Sequence, residues 1–184
     1  MERRRFSLLD AMALVATTAF GLGLVRGHFL DLNARQPQIL STWLPMVAMF
    51  HRVTGFGPLL AAWSLAMIGL HLIPPRPSFR RLARSPGFAA SLASGLGIVL
   101  CFATNGVERL YPWVRGLPAP PIDYVVNAMP MTVAVAIASA WISIAAGGRW
   151  RRRRGPDWRE RLALAVGWAW ILLYTAQRIT VTFR

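Results

Sequence analysis

The chain has 184 residues, 55% of them hydrophobic, and sets 21 basic residues against seven acidic ones for a formal charge of +14. Its mean hydropathy of +0.42 is too apolar for a soluble domain that closes around one core. The positive charge lies in short breaks between long apolar runs, which argues against a nucleic-acid partner and makes lipid the solvent.

Five apolar stretches are legible, at approximately 8–25, 53–73, 88–104, 126–146 and 162–181. At about 1.5 Å per helical residue, most can cross a hydrocarbon core of about 30 Å. The expected fold is all-α: a polytopic transmembrane helical bundle of about five spans, forming a single integral membrane domain over residues 1–184. Fourteen of the 21 basic residues fall in three clusters: Arg3 to Arg5; Arg76, Arg80, Arg81 and Arg84; and Arg149, Arg151 to Arg154, Arg159 and Arg161. With these clusters on the inside, the positive-inside rule places the amino terminus in the cytoplasm and the carboxyl terminus outside. A bacterial inner membrane is the expected location.

Every basic residue other than histidine is arginine, whose planar guanidinium can grip phosphate in a bidentate fashion. Arg80, Arg81, Arg84, Arg151, Arg152, Arg153 and Arg154 are therefore the expected contacts for anionic lipid head groups. The amino-terminal basic and apolar run has the outline of a signal peptide. It continues through Gly21 to Gly27 into Arg26, His28 and Asp31 without a clear small-x-small cleavage site, and reads as a retained first span. Ser7 is placed to cap that helix, and Asp10 in the first turn suits the helix dipole and local pairing with Arg3 to Arg5.

The second stretch is preceded by Ile39 to Phe50, too short to cross alone and containing Pro45. Two shapes fit: an interfacial or re-entrant segment before a span that starts near Val53, or one long tilted helix kinked near Pro58. The first is favoured because a proline in the first helical turn needs no repair. Pro74 to Gly87 reads as a basic amphipathic turn on the inner surface. Asn105 to Tyr124 reads as an outer connection, with interfacial Tyr111 and Trp113, charged Glu108, Arg109, Arg115 and Asp123, and a stiff run from Pro118 to Pro121.

Small residues recur at helical spacing at Gly23 and Gly27, at Gly87, Ser91 and Gly95, and at Ser139, Ser143 and Gly147, marking expected helix-packing stripes. In the fifth stretch, Trp168, Trp170 and Tyr174 supply bulk for contact with lipid or a partner. The lone Cys101 sits in the third stretch and reads as a packing residue.

The three histidines are His28, His51 and His71. A span starting near Val53 separates His51 from His71 by most of the membrane, so those two cannot share a haem or metal. His28 and His51 lie toward the outer face and form the one candidate cofactor-binding pair, for haem or a pigment. His51 and Arg52, faced by Glu108 and Arg109, make the densest polar group outside the basic clusters.

Familiar catalytic patterns do not occur: no HExxH, no G-x-S-x-G, no GxxxxGK[ST] and no redox cysteine pair. Asp10 and Asp123 fall on opposite sides, which removes paired-aspartate chemistry. No span centre carries a charge that could couple an ion, and five spans give no obvious inverted repeat. The expected function is a structural or accessory subunit of a membrane protein complex, with other membrane subunits as partners. A haem- or pigment-binding subunit is the alternative, followed by a small transporter or an interfacial enzyme.

Overall fold

The computed structural model describes residues 6–35, 53–73, 82, 85–114, 122–147 and 157–182. These form an all-α bundle of five helices: α1 (Leu8–Arg35), α2 (Gly57–Leu72), α3 (Pro86–Val114), α4 (Ile122–Ala146) and α5 (Trp158–Thr182). Four contain apolar segments long enough to cross a membrane: Leu8–Leu30, Pro86–Thr104, Val126–Ala146 and Trp158–Ile179. The protein is therefore a membrane protein. The Ile39 to Phe50 segment, and with it the choice between re-entrant segment and kinked helix, lies outside the described residues.

The second helix is short for local reasons. Pro58 occupies its first turn, where a missing N–H costs nothing, and Ile73 leaves the helix with extended backbone just before Pro74. Its 16 residues reach only about 24 Å at about 1.5 Å per residue. Yet α2 contacts all four other helices, so protein covers much of it. A central helix whose ends are tied by neighbours does not need the full bilayer thickness.

Helices consecutive in the chain run antiparallel, and contacts at both ends fix the order. Gly21 of α1 meets Leu59 of α2, while Asp10 lies level with Leu70. Trp141 near the end of α4 donates to the Pro86 carbonyl at the start of α3, and Gln177 near the end of α5 donates to the Asn127 carbonyl near the start of α4. The starts of α1, α3 and α5 and the ends of α2 and α4 thus share one end of the bundle. The three arginine clusters flank that end in the sequence.

The main core joins α3, α4 and α5 through Ile98, Cys101, Val133, Ile137, Trp141 and Trp170, with Leu60 and Trp63 of α2 packed against it. A smaller cluster of Met67, Leu70 and Ala163 reaches Ala13 and Leu14 of α1. Trp170 is fully buried and donates to Ser64 Oγ at 3.0 Å, while Ser64 donates to the Leu60 carbonyl at 2.8 Å. In an apolar interior this satisfies the indole and ties α5 to α2.

Two helices outrun their apolar stretches. The first continues past Val25 to Arg35, since Gly27 costs only about 1 kcal/mol in a helix and the next proline is Pro37. The third continues through Asn105 to Val114, which the sequence alone placed in a loop; it stays helical despite Gly106 and Pro112, and ends before Gly116 and Pro118. Within α4, Pro130 is buried in the helix interior and removes one backbone donor.

Candidate functional site

Charged groups gather at the arginine-rich end, where α1 begins with a reciprocal cap. Ser7 Oγ accepts from the Asp10 N–H at 3.2 Å, while Ser7 N–H and Oγ donate to Asp10 Oδ2 at 3.1 and 2.8 Å. This is the capping-box arrangement with aspartate in the acidic position. The other oxygen, Asp10 Oδ1, accepts from Arg159 Nη2 at 2.7 Å across 149 residues of sequence. Both side chains are withdrawn from solvent, with 1% of Asp10 and 6% of Arg159 exposed. Both carboxylate oxygens are occupied, so Asp10 is a fixed acceptor rather than a vacant proton carrier.

Arg159 also donates from Nη1 to the Leu70 carbonyl in the last turn of α2. That carbonyl is among those a helix end cannot satisfy internally, and a cation is favoured there by the helix dipole. The guanidinium carbon lies 5.4 Å from the Trp158 ring centroid, and Phe6 meets the same indole edge-on at 4.8 Å. One guanidinium thus joins the start of α1, the end of α2 and the start of α5.

Glu160 does the opposite job one residue later. Its Oε1 accepts from the Gly87 N–H at 2.8 Å, and its Oε2 accepts from Ser85 Oγ. Ser85 Oγ in turn accepts from the Phe88 N–H at 3.2 Å, so a serine and a carboxylate together cap α3. The helix can approach this closely because residue 87 is glycine: a Cβ there would lie 2.7 Å from the Glu160 carbonyl oxygen. The neighbouring pair Arg159 and Glu160 therefore places a cation at a helix carboxyl end and an anion at a helix amino end.

His71 completes this region. It is buried near the end of α2, its Nδ1 bonds to the Met67 carbonyl at 2.7 Å, and its ring lies 5.5 Å from that of Phe88. A nitrogen facing a carbonyl must carry the proton, which makes Nε2 the acceptor in the neutral ring. Among the described residues, no three His, Cys, Asp or Glu side chains cluster as metal ligands would.

The residues singled out from sequence divide between core, surface and the undescribed connections. His28 is half-buried on the second half of α1, its ring 5.8 Å from that of Phe29. His51 lies outside the described residues, as do Arg80, Arg81, Arg84 and Arg151 to Arg154. Gly87, Ser91 and Gly95 are buried along α3, with Gly95 close enough to Ile68 for a Cβ to sit 3.0 Å from its Cδ1. Gly23 and Gly27 are exposed, and added Cβ atoms there would meet nothing within 4 Å. Ser139, Ser143 and Gly147 face outward on α4 and its following turn.

Sequence reasoning placed Asp10 in a helix cap and paired it with Arg3 to Arg5, which lie outside the described residues; it missed Arg159, the ion-pair partner of Asp10 among the described residues. The available signal was the acid itself: a carboxylate inside an apolar helix requires a counterion, and Arg159 lies at the matching end of another span. The tight glycines Gly21, Gly97 and Gly167 also escaped notice because they do not form a repeated stripe. Cβ atoms at Gly21 and Gly97 would lie 3.0 Å from Leu59 Cα and 2.9 Å from Val133 Cα. At Gly167 a Cβ would lie 3.0 Å from the Trp141 ring.

Fold and site together define a polytopic α-helical membrane protein braced by ionic caps at one end. Comparison with protein-family models, curated proteins and solved structures finds no match.

Proposed function

We propose that this protein is a structural or accessory subunit of a membrane protein complex in a bacterial cytoplasmic membrane, oriented with its arginine-rich end inward. The observation that carries this reading is the use made of the buried charged groups. Asp10 and Arg159 bind helices to one another, and half-buried Glu160 caps a neighbouring helix; these groups do not converge on a reaction cavity. Such placement favours a rigid scaffold.

A partner surface is supplied by one face of α4. Val135, Ser139, Ile142, Ser143 and Ala146 are all exposed and recur at spacings of three and four residues. Ser143 returns its hydroxyl to the Ser139 carbonyl at 2.8 Å, so the stripe presents little polarity and admits the backbone of another helix. The positive-inside rule supports the orientation.

The test compares the wild type with Ser143→Leu after gentle extraction from the native membrane. The wild type is expected in a heteromeric assembly that Ser143→Leu weakens, while the melting temperature of the isolated chain stays unchanged because residue 143 faces outward. A wild type recovered as a single chain with bound haem or pigment would overturn the reading and direct attention to His28 and His51.

A further inference from the structure

At the arginine-rich end, α1 and α5 are joined by Asp10 and Arg159, but farther along they leave an open groove of about 550 Å3. Phe6, Leu14, Trp158, Leu162 and Trp63 of α2 line it. Its size lies within the roughly 300–1,000 Å3 of small-ligand sites, and its lining is almost entirely apolar. The polar exception is Arg161.

We propose that this groove holds one anionic phospholipid of the adjoining leaflet, with an acyl chain against Trp63 and Leu162 and its phosphate on Arg161. The proposal rests on the membrane fold and is independent of the accessory-subunit reading. Three observations converge on this occupant. First, Trp63 precedes Leu72, the last residue of α2, by nine positions, about 14 Å along the helix. That depth matches one leaflet of a core about 30 Å thick.

Second, Arg161 is exposed and has no ion pair among the described residues. Of the nearby carboxylates, Asp10 is held by Arg159 and Ser7 and Glu160 by the start of α3, while Asp157 accepts from the Trp158 N–H through Oδ1 at 2.7 Å. Third, the lining combines indole and arginine, the pair suited to the boundary between acyl chains and phosphates.

The experiment uses the full chain, delipidated in detergent and titrated separately with dioleoyl phosphatidylglycerol and dioleoyl phosphatidylcholine under native mass spectrometry. For the first bound lipid, the wild type is expected to prefer phosphatidylglycerol about fivefold, the scale of one arginine at a membrane surface. Arg161→Gln should abolish most of that preference while leaving acyl-chain binding in place. Ala165→Trp, which fills the groove from an exposed position, should remove the first adduct of both lipids. Equal affinity of the wild type for the two lipids would overturn the proposal in favour of a neutral acyl-chain groove. A phosphatidylglycerol preference unchanged in Arg161→Gln would overturn it by placing the headgroup on another basic segment. Melting temperatures equal to wild type establish that both variants are folded.

Discussion

Replacing Asp10 by asparagine removes one negative charge while nearly preserving the size of the side chain. In the wild type, Oδ1 of Asp10 faces Arg159 at 2.7 Å, with 1% and 6% of the two side chains exposed. A surface pair would contribute about 0–1 kcal/mol. Leaving one member of a buried pair without its counterion costs about 3–5 kcal/mol instead. Arg159 would retain its bond to the Leu70 carbonyl, and asparagine could still accept from Ser7, so the lower part of that range is expected. At about 2–4 °C per kcal/mol for a chain of this size, a loss of about 3 kcal/mol lowers the melting temperature by about 6–12 °C. Arg159→Met should cost at least as much, because it leaves the carboxylate buried and uncaps α2. The double variant should recover a large part of the sum, since replacing both buried charges is often close to neutral. Melting of the four purified proteins in one detergent provides the measurement. Single variants within about 1 kcal/mol of wild type, combined with strict additivity, would refute the claim that this pair braces the bundle.

Glu160→Ala should destabilise the protein by about 1–3 kcal/mol, because it strips the acceptor from the Gly87 N–H and from Ser85; Glu160→Gln keeps an acceptor and should lose less in the same melting assay. Gly97→Ala should cost about 1–3 kcal/mol, since the new Cβ meets Val133 Cα at 2.9 Å, whereas Gly23→Ala meets nothing and should be neutral or stabilising. Cysteines at Ser78 and Ala119 should be labelled from opposite sides of sealed membranes, with Cys101 silent because it is buried. Labelling of both from one side would show that the number of crossings between them is even.

The bundle was legible because lipid imposes a coarse rule, that long apolar runs must satisfy their backbone within helices, and four of the runs coincide with helices long enough to cross. Ser7 and Asp10 were legible as a cap because capping acts over three residues. The Asp10 to Arg159 bond was not, since nothing local identifies which of several basic groups folds back across 149 positions. Gly87, Ser91 and Gly95 form a stripe that is buried, but the equally regular Gly23 and Gly27 face outward. Spacing specifies a smooth face without specifying its neighbour. Glu160 and Ser85 were hidden for a related reason: their shared cap joins the starts of two parallel helices separated by a complete hairpin.

The most direct test of the accessory-subunit account is native mass spectrometry of a tagged full-length chain extracted gently from its own membrane. The account predicts a stable heteromeric assembly in which this chain carries no haem or pigment. A lone chain or homo-oligomer that retains such a group, and loses it in His28→Ala or His51→Ala, would contradict it.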